Sequence, residues 1–174
     1  MLPEAKRMLG EILIRKEVAK GEVMLKEGQI SHHIILVGKG MMRQFYYKGG
    51  KDVTEHFSYE GCVLMCIEST LKKEPTKLMI EALEDCIVYL LPYDKLMQLT
   101  EISWEINMFY RKILEYSLIV SQVKADSWRF ETARERYNLL LSTQPEVIKR
   151  APLSHIASYL LMTPETLSRV RSNS

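Results

Sequence analysis

Short apolar runs separated by glycines occupy the first half of the chain and predict antiparallel β structure. Glycines recur at turn spacing between Lys16 and Leu91, and Lys48-Gly49-Gly50-Lys51 is typical of a hairpin turn because both glycines accept a positive φ. An amphipathic helix followed by the start of a strand is predicted over residues 2–15. The predicted strands after it are 33–37, 41–47, 53–57, 78–83 and 86–91. We therefore expect a compact antiparallel roll or barrel.

The pattern changes to helical spacing after Pro92, where glycine disappears from the chain. Apolar residues recur every seven positions in two series over 104–127, as at the a and d positions of a coiled coil. The positions of this predicted dimer seam are Ile106, Phe109, Ile113, Tyr116, Val120 and Val123. A homodimer is predicted, and the alternative is that the helix packs on its own β-roll.

A break is predicted at Asp126-Ser127, followed by another helix over 128–141. The residues of that helix predicted to face inward are Phe130, Ala133, Tyr137, Leu140 and Leu141. The chain would then continue into its last apolar pattern.

Two short helices joined by a tight turn are predicted over 152–171. One apolar stripe ends at Leu160, small Ala157 suits a close helix crossing, and Leu167 with Val170 form a second stripe. Threonine can cap the second helix at Thr163, since a proline follows it at the first helical position. This pattern is typical of a helix-turn-helix, whose second helix enters the major groove of DNA. The residues expected to contact DNA are Thr163, Glu165, Thr166, Ser168, Arg169 and Arg171.

The chemistry of these outward side chains suits base recognition. Arginine can bind guanine through two hydrogen bonds and glutamate can accept from a cytosine amine, each pair contributing roughly 1–3 kcal/mol of discrimination. The net charge of the chain is only +2, but from Arg129 onward seven Lys/Arg stand against four Asp/Glu. This local basic excess suits phosphate contacts. The alternative is an ordinary solvent-exposed helix.

Composition excludes several classes of protein. With 174 residues, 47% of them hydrophobic, the chain can bury a core without a metal or disulfide. No apolar run approaches the roughly 18 residues of a membrane span and the amino terminus lacks a secretory pattern, so a cytoplasmic protein without a membrane partner is expected. No catalytic triad order and no phosphate-binding glycine loop occurs, so we do not expect an enzyme.

The cysteines predict neither a disulfide framework nor a metal site. Cys62, Cys66 and Cys86 are odd in number and lack C-x-x-C spacing, so reduced, buried thiols are favoured. The alternative is an iron–sulfur cluster on Cys62 and Cys66, completed by a ligand from elsewhere. The nearest candidate ligands are His32, His33 and His56.

Two segments in this order resemble the Crp/Fnr superfamily of bacterial transcription regulators. Residues 135–171 look like its DNA-binding end, and residues 21–46 are similar to the opening strands of its cyclic-nucleotide-binding-type roll. The resemblance implies an α+β fold with an antiparallel, jelly-roll-like β-roll over 1–100, a long dimerisation helix over 101–127 and a helix-turn-helix domain over 128–174. The β-wing that often follows is expected to be absent or truncated.

The resemblance also implies a homodimer on double-stranded DNA with a pseudo-palindromic site, because two-fold symmetric proteins read two-fold symmetric sites. Glu165, Thr166 and Arg169 match base-contacting positions of the family, and RNA polymerase is a further candidate partner. Leu161 stands in the turn where the family commonly has glycine. A left-handed conformation there would cost roughly 1–2 kcal/mol.

The effector side departs from the cyclic-nucleotide members. Gly61 is retained, but Cys62 and Val63 replace a Glu-Leu pair, and Thr76 and Lys77 stand where an arginine pair would hold phosphate. A lysine cannot supply the bidentate fork of arginine. Together with Leu78 these form the candidate effector pocket, for which the alternative is plain core packing.

The sequence thus predicts a dimeric, sequence-specific DNA-binding transcription regulator. Its effector is expected to be absent or an unknown small molecule other than cyclic AMP. The alternative is a dimeric DNA-binding protein with a vestigial roll, which would leave no volume for a ligand.

Overall fold

A β-roll of two four-stranded sheets begins the chain and helices follow it. The computed structural model describes residues 2–172. The strands are β1 (Ile14–Val18), β2 (Val23–Leu25), β3 (His33–Lys39), β4 (Met42–Lys48), β5 (Lys51–Ser58), β6 (Val63–Leu64), β7 (Met79–Ala82) and β8 (Cys86–Pro92). The helices are α1 (Pro3–Ile12), α2 (Ile67–Lys72), α3 (Tyr93–Ile102), α4 (Trp104–Phe130), α5 (Ala133–Thr143), α6 (Pro145–Arg150), α7 (Leu153–Tyr159) and α8 (Pro164–Ser172).

Both sheets of the roll are antiparallel, as predicted. The first has the strand order β1-β8-β3-β6 and the second β2-β7-β4-β5. Gly49 and Gly50 adopt positive φ values of 58° and 74° in the β4–β5 hairpin, which confirms the predicted turn. Side chains such as Ile35, Met42 and Ile80 meet between the sheets and form the roll's core. The other face of the first sheet is covered by α1, α3 and the start of α4.

The predicted break at Asp126-Ser127 is wrong, because α4 continues unbroken to Phe130. The helix ends where Thr132 caps α5, and the Glu135 carboxylate in turn accepts a hydrogen bond from the Thr132 amide at 2.8 Å. The break between the long helix and the carboxy-terminal helices therefore lies at Glu131-Thr132, five residues later than predicted. Phe130 is 79% exposed and Leu141 is also exposed, so both predictions of inward packing are wrong.

The inward predictions for Tyr137 and Leu140 are confirmed, but these residues pack against an unexpected surface. They share a buried cluster with the helix-turn-helix and with Met41 and Phe57 of the roll. The backbone amide of Thr54 also donates to the Ser158 hydroxyl at 3.1 Å. Helix α7 therefore lies on the outer face of the second sheet, and the carboxy-terminal helices are docked on the roll.

Two arginine clusters join the docked helices to the roll. Arg43 binds Asp52 through two hydrogen bonds of 2.6 Å and Glu81 through a third, and its Nη1 donates to Nδ1 of His155 at 3.0 Å. Burial, with Arg43 nearby, lowers the pKa of His155, which favours the neutral ring that can accept this bond. The docking is therefore polar as well as apolar.

The second cluster lies at the end of α6. Arg150 binds Glu60 at 2.7 Å and Glu84 at 2.6 Å, and both carboxylates belong to turns of the roll. Hydrogen bonds from Arg150 lower the pKa of Glu60 to about 2. Pairing with the arginine thus keeps this carboxylate charged and tied to α6.

No helix within residues 2–172 is long and apolar enough to cross a membrane. The three cysteines are free, and over the same residues no group of three or more His, Cys, Asp or Glu side chains converges as a metal site would require. Cys66 is buried and accepts a hydrogen bond from Gln44, so it serves the core of the roll.

Candidate DNA-binding helix and effector cavity

The turn between α7 and α8 is tight although it contains no glycine. Leu161 adopts the left-handed conformation with φ 53°, as expected for the position where the family commonly has glycine. Its amide donates to the Ser158 carbonyl at 3.1 Å, and the Met162 amide donates to the Ala157 carbonyl at 3.0 Å. The Leu161 side chain is 49% exposed, so packing compensates little of the backbone cost.

The predicted packing of the two helices is confirmed. Ala157 and Leu167 are both fully buried, and Val170 packs beside them. Among the predicted DNA contacts, all but half-buried Thr166 are exposed, namely Thr163, Glu165, Ser168, Arg169 and Arg171. The structure therefore places all six side chains on or next to α8, whose opposite face packs on α7 through Leu167 and Val170.

Polar contacts orient the exposed face of α8. Thr163 caps the helix by accepting from the Thr166 amide at 3.2 Å, and Arg169 donates to the Thr166 hydroxyl at 3.4 Å. Hydrogen bonds from its own backbone amide and from Thr163 lower the pKa of the Glu165 carboxyl. A carboxylate acceptor and a guanidinium donor thus lie one helical turn apart, and each is a group that can pair with a base edge.

A cavity of about 280 Å³ lies between the roll, α2 and α4. Val63 and Leu78 of the predicted effector pocket line it. The other predicted residues lie elsewhere: Cys62 lines a neighbouring cavity, Thr76 is buried in a turn and accepts from the Leu78 amide, and Gly61 and Lys77 are exposed outside the lining. Of the six predicted residues, only Val63 and Leu78 therefore line this cavity.

The residues that sequence reasoning missed come from β5 and from one ridge of α4. The ridge has a spacing of four and consists of Tyr116, Val120, Lys124 and Trp128. Residues four apart lie above one another on a helix, so this ridge was present in the sequence. The heptad interpretation instead assigned Tyr116 and Val120 to a dimer seam and left Lys124 without a role.

Lys124 is the charged centre of the ridge. Its ammonium lies 2.9 Å from a carboxylate oxygen of Glu55 and also donates to the Glu55 carbonyl. It lies 4.5 Å from the centre of the Trp128 ring and 5.0 Å from that of Tyr159 on α7. Burial lowers the pKa of Lys124, and burial followed by the field of Lys124 lowers the pKa of neighbouring His56 to about 4. One lysine thus contacts the roll, the long helix and the helix-turn-helix.

A second cavity, of about 250 Å³, lies on the other side of this ridge. It is lined by Phe57 of the roll, Leu140 of α5 and Tyr159 of α7, and it shares the wall around Lys124 with the first cavity. The two cavities therefore lie next to each other between the roll, the long helix and the helix-turn-helix.

The predicted dimer seam divides into two parts. Ile106 and Ile113 are buried inside the chain, so the prediction that these two face a partner is wrong, and Phe109 is half-buried beside them. The alternative, in which the helix packs on its own roll, holds for this half. In the other half Val120 faces the cavity, while Tyr116 and Val123 are 57% and 50% exposed.

Comparison with known proteins supports this architecture. The model of the cyclic nucleotide-binding domain family matches residues 15–103, just over half of the chain. FixK2 from Bradyrhizobium japonicum has a TM-score of 0.76 at 21% identity, over 93% of this chain and 84% of that chain. No curated protein sequence matches.

Two further solved structures share the fold. A protein from Eubacterium rectale, assigned to the Crp/Fnr family of transcriptional regulators, has a TM-score of 0.72 at 15% identity, over 99% of this chain and 83% of that chain. CLP from Xanthomonas campestris, described as a c-di-GMP responsive global regulator, has a TM-score of 0.74 at 14% identity, over 98% and 90%. The chain therefore belongs to the cyclic nucleotide-binding domain family and has the fold of Crp/Fnr transcription regulators.

Proposed function

We propose that this protein is a dimeric, sequence-specific DNA-binding transcription regulator of Crp/Fnr type. The observation that carries the proposal is α8, which is anchored by fully buried Leu167 and exposes Glu165 and Arg169 one turn apart. The proposed target is double-stranded DNA with a pseudo-palindromic site, read in successive major grooves. RNA polymerase is a proposed further partner, the cytoplasm is the proposed location, and no catalytic activity is proposed.

The proposed dimer contact is the exposed face of α4. Tyr116, Ile119, Val123 and Phe130 follow the spacing of a helical stripe and are each at least half exposed in the single chain. In this proposal the exposed face takes the place of the first half of the predicted seam, because Ile106 and Ile113 are already buried within the single chain. Burying such a stripe against a second copy would stabilise a parallel helix pair.

We further propose that the roll holds an effector other than a cyclic nucleotide. Supporting this, the only ammonium that lines the cavity among the described residues is that of Lys124, which is already paired with Glu55. A cyclic phosphate would lose its hydration there without gaining a free cation, and burying an uncompensated charge is costly. The alternative of a vestigial roll predicts no ligand volume, and the cavity of about 280 Å³ favours the first proposal.

Selection of binding sites from random duplex DNA tests the function. The wild-type protein should select a two-fold symmetric site, and Arg169→Ala and Glu165→Ala should each relax one base pair per half-site by roughly 1–3 kcal/mol. Arg7→Ala is the matched charge control, because Arg7 is an exposed residue of α1. Wild-type selectivity in both α8 variants, or no selected sequence at all, would refute the proposal.

A further inference from the structure

Charged side chains line the effector cavity. Its described lining contains two carboxylates, Glu55 and Glu68, and one ammonium, Lys124. His56 also lines the cavity, and its pKa of about 4 leaves the ring neutral near pH 7. Glu68 is exposed and pairs with Lys72 at 2.7 Å, so each of the two lining carboxylates already has a cationic partner.

The ammonium of Lys124 is held by groups that a ligand would have to replace. Glu55 supplies a carboxylate oxygen at 2.9 Å, and aromatic rings of Trp128 and Tyr159 lie within 5.0 Å. The lysine side chain is only 12% exposed, so water screens the pair weakly. An anionic ligand could reach this cation only by displacing Glu55 and leaving that carboxylate without its partner, which is unfavourable in a partly buried site.

The rest of the cavity offers neutral contacts. Val63, Leu78 and Trp128 supply apolar and aromatic surface. Ser117 on α4 donates its hydroxyl proton to the Ile113 carbonyl at 2.9 Å, so its oxygen can still accept a hydrogen bond from a ligand. These groups fit an apolar molecule that carries a neutral hydrogen-bond donor such as a hydroxyl.

We propose that Glu55 determines the specificity of this cavity: by occupying Lys124 it excludes anions and restricts the ligand to an uncharged, mainly apolar molecule. The inference rests on the proposed function, because it assigns a ligand class to the effector cavity of the proposed regulator. It concerns a residue of β5 and a residue of α4, neither of which was among the candidate effector residues found from the sequence.

A matched series of probes tests the inference. The probes are 2-naphthalenemethanol, 2-naphthoate and 2-naphthylmethylammonium, which share a ring system and differ in charge. Binding to the full chain is measured by ligand-observed NMR or calorimetry. We expect the alcohol to bind the wild-type protein at least tenfold more tightly than the carboxylate. Equal or tighter binding of the carboxylate would overturn the proposal, as would the failure of all three probes to bind.

Variants then assign the selectivity to Glu55. Glu55→Gln frees Lys124, so carboxylate binding should tighten at least tenfold. Glu68→Gln removes a carboxylate of the same charge, which lines the cavity from α2 and pairs with exposed Lys72. It leaves the Glu55–Lys124 pair intact, so it should change carboxylate binding less than threefold. The double variant Glu55→Gln/Lys124→Met replaces the pair by neutral groups, which protects folding, and it should bind the alcohol while losing the gained affinity for the carboxylate.

The same experiment separates this inference from the proposed function. Equal carboxylate gains in the Glu55→Gln and Glu68→Gln variants would show that overall charge, not the pair, sets selectivity, and would overturn the inference. Probe binding does not depend on DNA. Loss of site selection with intact probe selectivity would therefore refute the regulator and leave the role of Glu55 standing.

Discussion

Substitution of Leu161 tests whether the turn between α7 and α8 is strained. Leu161 has a φ of 53° and a side chain that is 49% exposed. For residues other than glycine this left-handed conformation costs roughly 1–2 kcal/mol, because Cβ approaches the following carbonyl oxygen. Glycine avoids that cost, but its greater freedom in the unfolded chain costs roughly 0.5–1 kcal/mol relative to alanine.

The informative comparison is between Leu161→Gly and Leu161→Ala, since both remove the same partly exposed side chain. Subtracting the two effects, we expect the glycine variant to be more stable than the alanine variant by about 0.5–1 kcal/mol. At Ser168, an exposed position within α8, the stability difference should have the opposite sign: the alanine variant should be more stable than the glycine variant by about 1 kcal/mol.

Urea unfolding of these four variants decides the matter. The slope of unfolding free energy against urea should be unchanged, so that the midpoints report stability alone. In thermal melts, 1 kcal/mol corresponds to about 2–4 °C for a chain of this size. If alanine is as stable as glycine at position 161, the turn is not strained and our account of how this helix-turn-helix closes without glycine fails.

Three further predictions concern a glycine with positive φ, the pH dependence of stability and the proposed dimer. In urea unfolding Gly40→Ala should cost more than about 2 kcal/mol of stability, because φ is +91° and the added Cβ would lie 2.6 Å from the sulfur of Cys86. Gly28→Ala is the control: φ is +83° but the added Cβ meets open space, so it should cost about 1 kcal/mol. Equal costs would contradict the role of the close contact. His56 has its pKa lowered from 6.5 to about 4, so its contribution to stability is present above pH 6.5 and is lost as the pH falls through about 4. Relative to His56→Asn, the wild-type protein should therefore lose roughly 1–3 kcal/mol over this range, and parallel pH profiles would refute the assignment. Ile119→Glu should dissociate the proposed dimer, as measured by sedimentation, and should preserve the fold because Ile119 is exposed in the single chain. Ile106→Glu places a charge at a fully buried site and should unfold the chain. If the protein remains a dimer in the Ile119→Glu variant, the dimer uses another surface.

Residues at the start of β4 show what the strand pattern left open about the docking. Met42, Arg43, Gln44 and Phe45 are all buried, although successive residues of a strand point to opposite faces. Both faces of this strand are therefore covered, whereas the sequence predicted only a strand over 41–47. The sequence did not indicate by what, because a strand pattern reports burial and does not identify the covering element.

Local patterns by themselves determined the elements of this protein. The glycine-punctuated strands, the Gly49-Gly50 hairpin, the capped start of α8 and the buried positions Ala157 and Leu167 were all predicted from the sequence and are confirmed. Each depends on residues within a few positions of one another, through helical or strand periodicity and the conformational preferences of glycine, proline and threonine. Leu161 was singled out differently, by the resemblance to the Crp/Fnr superfamily, in which glycine is common at this position.

Only the tertiary structure decided which faces meet. Heptad spacing could not distinguish Ile106, which packs on its own roll, from Val123, which stays exposed, because both satisfy the same periodicity. The pairs Glu55–Lys124 and Arg43–His155 join residues 69 and 112 positions apart. No local preference encodes such pairs, because they form only when the roll, the long helix and the helix-turn-helix bury their remaining apolar surfaces against one another.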